Sequence, residues 1–180
     1  MDGGIDAWKG LVATGEYSDG LWMLEKIGKS DEVLALARTL EEGSRVFYGR
    51  VAEVLPDTEA KRVFSALVEA EKEHARRIDE ACRKAMPEAA CELPEEARGL
   101  EGYMEGAVGI DRTLAWVSEP GRSTFEVLEL AMQFESNALD LYLKIAGREE
   151  FAPVREVIEG VIGDEKAHLK RLGALLEKNL

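Results

Sequence analysis

The two histidines of this 180-residue chain lie in one motif that occurs twice, as Glu71-x-x-His74 and Glu165-x-x-His168. Residues three positions apart on a helix share a face, so each glutamate and its histidine can approach one point. Carboxylate oxygen combined with imidazole nitrogen suits iron and manganese. The spacing therefore predicts two chelating pairs, each directed at a metal ion.

A single glutamate precedes each motif at the same distance, Glu41 in the first half and Glu135 in the second. The two copies are 94 residues apart (168 − 74), and the same offset relates Glu41 to Glu135 (135 − 41). Glu42 is also a candidate, but it aligns with Ser136, so the register favours Glu41. Four glutamates and two histidines form the ligand set that holds a metal pair in a four-helix bundle. We expect each Glu-x-x-His pair to bind one ion, with Glu41 and Glu135 bridging the two.

This offset is an internal repeat, because residues 33–84 align with residues 127–178 without a gap. The repeat pairs Tyr48 with Tyr142, each seven residues, or two helical turns, after its glutamate. Packing in the core is one interpretation of these tyrosines. The alternative is that each hydroxyl bonds a ligand carboxylate across the bundle, or takes part in redox chemistry. Three acidic residues are candidate acceptors for the histidine N–H, although exposed helix positions also suit them: Glu73, Asp140 and Asp164.

Apolar periodicity predicts an all-α protein whose four long helices span about 31–55, 58–85, 124–146 and 153–177. Ser30 is the expected N-cap of the first helix, and Ser123 with Glu126 forms a capping box before the third. Short loops make two antiparallel helix pairs, and the long connection over about 86–122 is the ferritin-like crossover. We expect this connection to be partly helical, over about 97–117, and no segment to form a strand.

The composition excludes several partners. A net charge of −13 repels nucleic acid and anionic membranes. No apolar run approaches the roughly 20 residues of a membrane span, and the start at Met1 lacks the features of a signal peptide. Cys82 and Cys91 are not in C-x-x-C spacing. They could pair, but a reduced, cytoplasmic chain is the simpler interpretation.

The six candidate ligands and the two tyrosines resemble those of rubrerythrins, members of the ferritin-like superfamily. The resemblance covers about residues 30–178. It implies a non-haem centre with two iron ions, a homodimer, and reduction of hydrogen peroxide or oxygen. Manganese and zinc are alternative metals. The residues also leave open a ferroxidase, an iron- or manganese-binding protein without turnover, and a metal-dependent sensor module.

Two departures from the family pattern bear on the activity. Rubrerythrins carry a rubredoxin-like site with paired C-x-x-C motifs, which this sequence lacks. The resemblance therefore implies an external electron donor, such as a rubredoxin-like protein. Rubrerythrins also have an extra carboxylate on the third helix, one turn from the glutamate. The flanking positions here are Met132 and Ala138, so we expect a more symmetric site.

The N-terminal segment Gly3–Gly10 resembles the end of a rhodanese domain, with its G-G-x-x-x-W pattern. We therefore divide the chain into an extension over 1–29 and a metal-binding bundle over 30–180. The resemblance implies that the chain is the C-terminal part of a rhodanese–rubrerythrin fusion. The catalytic cysteine loop of a rhodanese is missing, so no sulfur transfer is expected of this chain.

Overall fold

The computed structural model describes residues 21–85, 92–105 and 108–178. The rhodanese-like segment Gly3–Gly10 lies outside these ranges. The helices within them are α1 (Leu21–Leu24), α2 (Ser30–Val54), α3 (Thr58–Ala85), α4 (Ile110–Val117), α5 (Thr124–Ala146) and α6 (Arg155–Lys178). Two 3₁₀ helices span Glu95–Gly102 and Glu149–Val154, and two short strands are β1 (Tyr103–Met104) and β2 (Val108–Gly109).

The four long helices form the predicted all-α, ferritin-like bundle. Helix α2 packs along α3, α5 packs along α6, and α3 also contacts α6. Both pairs are hairpins with short connections, whereas a long crossover separates α3 from α5. The predicted limits of α3 and α5 agree with the structure. Pro153 lies in the 3₁₀ helix before α6 rather than at the start of α6 itself.

Capping explains where two of the helices begin. The Ser123 hydroxyl accepts a hydrogen bond from the Glu126 N–H at 3.2 Å, and the Glu126 carboxylate accepts one from the Ser123 N–H at 2.9 Å. This is the predicted capping box. The expectation for Ser30 was wrong, because its hydroxyl instead donates to the Glu150 carbonyl at 3.3 Å. The Glu32 carboxylate accepts from two N–H groups before α2 in its place.

The crossover is less helical than predicted. Its strands pair antiparallel, with Tyr103 opposite Gly109 and Met104 opposite Val108. The expectation of no strand was therefore wrong, although this sheet has only four residues. Several glycines weaken helix formation in this segment. Gly43 of α2 lets β1 pack directly on the helix, since a Cβ there would lie 2.2 Å from the Tyr103 carbonyl oxygen.

Buried apolar side chains form two clusters along the bundle. One includes Leu34, Leu40, Ile78, Leu141 and Ile158. The other includes Phe47, Phe64, Leu67, Phe134 and Leu172. Each of the four long helices contributes apolar residues to both clusters. Between these two apolar stretches each helix carries buried polar residues, which together form a polar layer. Burying each large apolar side chain contributes about 1.5–3 kcal/mol, so the clusters stabilise the helices that carry the polar layer.

One cysteine bears on the reducing environment that the sequence led us to expect. Cys82 is disulfide-bonded, which does not fit the expectation of a reduced chain. The other cysteine, Cys91, lies outside the described residues. None of the helices within the described ranges combines the length and apolar character that crossing a membrane requires.

Candidate metal centre

The polar layer contains all six predicted ligands. Helix α2 contributes Glu41, α3 contributes Glu71 and His74, α5 contributes Glu135, and α6 contributes Glu165 and His168. Each side chain is at most 2% exposed. The one-turn spacing of Glu and His on α3 and on α6, together with the antiparallel pairing, brings the residues to one level of the bundle.

Both imidazole rings direct Nδ1 towards the carboxylates. The Nδ1 atom of His74 lies 2.9 Å from Glu41 and 3.2 Å from Glu71. The Nδ1 atom of His168 lies 2.9 Å from Glu135. The two rings stack with centroids 5.3 Å apart and planes inclined by 21°. Each histidine therefore presents a donor atom to the same cluster of carboxylates.

The distances show which glutamates lie near both histidines. Glu71 lies 3.2 Å from Nδ1 of His74 and 3.5 Å from Nδ1 of His168. Glu165 lies 3.6 Å from both. Glu41 and Glu135 are each 2.9 Å from one histidine, the nearer contact in each half. The central positions therefore favour Glu71 and Glu165 as the shared carboxylates, in place of Glu41 and Glu135, which the sequence led us to expect in that role.

The cluster has the properties of a cation site. Both carboxylate oxygens of Glu71 and both of Glu165 are buried without a hydrogen-bond partner. Burying an unpaired carboxylate is costly, and a bound cation removes this cost. Donor atoms within 4.8 Å of one another form two overlapping groups: Glu41, Glu71, His74 and Glu165 in one, and Glu71, Glu135 and His168 in the other. The residues present therefore fit metal ions.

Burial and neighbouring charge divide the glutamates into two classes. Burial, together with the negative charge of Glu41, raises the pKa of Glu71 well above its usual value. Burial also raises the pKa of Glu165, and the charges of Glu105 and Glu135 add to this effect. These central carboxylates hold protons more tightly than ordinary glutamates when no cation is bound.

The pKa values of the other two glutamates, Glu41 and Glu135, shift in the opposite direction, and we call these two the outer glutamates. Burial opposes ionisation of Glu41, but the charge and hydrogen bond of His74 outweigh it and lower the Glu41 pKa to about 2. Burial likewise opposes ionisation of Glu135, and hydrogen bonds from His168 and others lower its pKa below the usual value. Each outer glutamate is therefore an ionised partner for the adjacent imidazole.

The two tyrosines support the outer glutamates across the bundle. The Tyr142 hydroxyl donates to Oε1 of Glu41 at 2.6 Å. The Tyr48 hydroxyl donates to Oε1 of Glu135. Burial raises the pKa of both tyrosines well above the usual value, so both stay protonated as donors. The expected contact from each hydroxyl to a ligand carboxylate is present in both halves.

A family model described as Rubrerythrin matches residues 32–119. This match, together with the bundle and its six buried ligands, supports a rubrerythrin-type, ferritin-like protein. The matched region contains Glu41, Glu71 and His74 but ends before α5, so the second half of the site is assigned from the repeat and the geometry. No curated protein and no solved structure matches the chain.

One carboxylate outside the ligand cluster lies within ion-pair distance of a histidine, although Nε2 of that histidine forms no hydrogen bond. Oδ2 of Asp164 lies 3.3 Å from Nε2 of His74 and also pairs with Arg77. The repeat places Ala70 at the corresponding position in the first half (164 − 94), so the second histidine lacks this contact. The other two candidate acceptors, Glu73 and Asp140, instead form ion pairs within their own helices. Glu73 pairs with Arg76, and Asp140 pairs with Lys144.

Glu105, a buried residue that follows β1, is not among the residues predicted from the sequence. It is 1% exposed, and Oε2 accepts a hydrogen bond from Ser44 at 2.9 Å. Burial and the charges of Glu41 and Glu135 raise its pKa well above the usual value. The crossover, which has no counterpart in the repeat, thus brings a further buried carboxylate beside α2. In the sequence, Ser44 could have indicated a further buried polar group, because it follows Glu41 by one turn on the same helical face.

A small cavity between α3 and α6 reaches the two histidines. Its volume is about 120 Å³. Its lining includes two arginines related by the repeat, Arg77 and Arg171. The other lining residues are Ala70, Glu73, His74, Asp164, Ala167 and His168. An opening of this size suits a small molecule.

Proposed function

We propose that this chain is a non-haem di-iron oxidoreductase that reduces hydrogen peroxide or oxygen. The observation that carries the proposal is the pair of histidine Nδ1 atoms facing four buried glutamates. When bound there, two ferrous ions supply the two electrons that convert hydrogen peroxide and two protons to two water molecules.

The ligands divide into shared and terminal groups in this proposal. Glu71 and Glu165 have free carboxylate oxygens and contact both histidines, which suits them to a bridging position. Glu41 and Glu135 would each hold one ion together with the adjacent histidine. Nitrogen and oxygen donors without thiolate favour iron or manganese, and zinc also accepts such ligands.

The remaining residues control orientation and access. Tyr48 and Tyr142 donate hydrogen bonds that fix the outer glutamates, and Asp164 lies 3.3 Å from Nε2 of His74. The apolar clusters on either side of the polar layer limit the entry of water. The cavity of about 120 Å³ suits peroxide or oxygen better than a large substrate.

Continued turnover requires a source of electrons outside the metal centre. The chain has no paired C-x-x-C motifs, so we propose an external donor, such as a rubredoxin-like protein. A homodimer also stays a prediction. The lack of C-x-x-C motifs also favours a second candidate, a ferroxidase or metal-binding protein that does not turn over peroxide.

Stopped-flow absorbance separates these candidates. The protein is loaded anaerobically with Fe(II) and mixed with peroxide or with oxygen. The proposal predicts fast oxidation by peroxide, slower oxidation by oxygen, and full re-reduction by an added donor over several cycles. Oxidation by oxygen with release or mineralisation of the iron would instead identify a ferroxidase. The exposed substitution Glu69→Ala, next to the motif on α3, is the matched control.

A further inference from the structure

Two adjacent residues of α2 bring Glu105 from the crossover into the bundle. Gly43 allows β1 to pack against the helix, where any Cβ would collide with the Tyr103 carbonyl at 2.2 Å. Ser44 then forms two hydrogen bonds with Glu105. Its hydroxyl donates to Oε2 at 2.9 Å and accepts from the Glu105 N–H at 3.3 Å. Because Ser44 follows Glu41 by one turn, Glu105 is held on the side of α2 that carries a candidate ligand.

The second oxygen of Glu105 accepts no hydrogen bond within the described part of the chain, although the Tyr142 hydroxyl lies near this carboxylate. Oε1 is buried without a hydrogen bond, although the side chain is only 1% exposed. The charges that act on it most strongly are the carboxylates of Glu41 and Glu135. Its own charge acts in turn on Glu71 and Glu165. A buried carboxylate among like charges is destabilising unless a cation lies close by.

We propose that Glu105 is a fifth carboxylate ligand of the metal centre, with Oε1 binding one of the two ions while Ser44 holds Oε2. This inference rests on the two-metal site proposed above. Four ionised glutamates balance two divalent ions, so a fifth carboxylate balances one further positive charge. Glu105 also makes the two ions inequivalent, since residues 33–84 and 127–178 are repeated but the crossover is not.

Anaerobic titration of the metal-free protein with Mn(II), followed by the EPR signal of free Mn(II), tests this role. The wild-type protein should bind two ions. In Glu105→Gln, which keeps the size of the side chain, one ion should bind at least roughly tenfold more weakly. Ser44→Ala keeps the carboxylate but loses its support, so its effect should be smaller. Glu101→Gln, an exposed residue of the same crossover, should bind as the wild type does.

Thermal unfolding separates a ligand from a merely structural residue. Metal-free Glu105→Gln should unfold at the same or a higher temperature than the wild type, because it lacks a buried charge. Its stabilisation by Mn(II) should be smaller. Unchanged affinity for both ions, or an equal fall in Tm with and without Mn(II), would overturn the role of Glu105 and leave the metal centre intact. Failure of the wild type to bind Mn(II) or Fe(II) would refute the metal centre itself.

Discussion

The Tyr142 hydroxyl lies 2.6 Å from Oε1 of Glu41 and links α5 to α2 across the polar layer. Tyr48 forms the corresponding bond to Glu135 in the opposite direction. Each half of the repeat thus supports the outer glutamate of the other half. Neither helical hairpin forms the complete site alone, because the tyrosine of each hairpin bonds a glutamate of the other.

Double-mutant cycles should detect this exchange. Hydrogen bonds to charged groups contribute about 1.5–3 kcal/mol, so Tyr142→Phe and Glu41→Gln should couple by an energy of that size. The measurement is urea unfolding of the metal-free protein. Tyr142→Phe combined with Glu135→Gln is the control and should couple by less than about 0.5 kcal/mol. Equal coupling in both cycles would contradict the assignment of tyrosines to glutamates.

The stability of the metal-free protein should depend on pH in a defined direction. Glu71 and Glu165 have pKa values raised above 4.5, and the His74 pKa is also raised, against the effect of burial, by Glu41. The folded state therefore binds protons that the unfolded chain releases. The free energy of unfolding should increase as the pH falls from about 8 to about 5.

Below this window the trend should reverse. The Glu41 pKa of about 2 lies below the ordinary 4.5, so its contribution is present above 4.5 and is lost as the pH falls towards 2. Urea unfolding at several pH values checks both limbs. Metal binding must displace the protons of Glu71 and Glu165, so affinity for Mn(II) should rise with pH. A Mn(II) affinity independent of pH would contradict this scheme.

The contact between Asp164 and His74 should make one metal position more sensitive than the other. Removal of a carboxylate that supports a histidine ligand commonly lowers metal affinity about 10–100-fold. Asp164→Asn should therefore weaken the ion beside His74 and leave the second ion nearly unchanged, as measured by Mn(II) titration. Asp140→Asn, which disturbs only the pair with Lys144, is the control. Equal weakening of both ions would argue against a specific contact.

Packing of the crossover on α2 should depend on Gly43. In Gly43→Ala the new Cβ would lie 2.2 Å from the Tyr103 carbonyl oxygen, so the backbone must move. We expect a loss of about 1–3 kcal/mol in the free energy of unfolding. Gly49→Ala is matched on the same helix, where the nearest atom outside the helix backbone is 3.9 Å away. It should be neutral or stabilise by up to about 1 kcal/mol, and a similar loss in both variants would contradict the packing argument.

The sequence was most informative where local physics determines the outcome. Apolar periodicity and the proline after Leu55 located α3, and the Ser123 capping box located α5. The offset of 94 residues selected the six residues that the structure brings together. It did so because a repeated hairpin places equivalent residues at equivalent heights in the bundle.

Other features depend on contacts between distant segments. Helical spacing gives the face on which Glu41 and Glu71 lie but not their depth, so it could not show which glutamate lies nearer both histidines. Glu105 has no equivalent in the repeat, and its position depends on a close approach at Gly43. The choice of Glu32 over Ser30 as a cap likewise depends on the path of the preceding loop.

The number of metal ions per chain tests the central claim most directly. Anaerobic titration with Fe(II) should give two tightly bound ions in the wild type and in Glu69→Ala. Glu71→Ala should lose tight binding of both ions while keeping its helical circular dichroism, because Glu71 contacts both histidines. One ion or none in the wild type, or two tightly bound ions in Glu71→Ala, would contradict the shared two-metal centre.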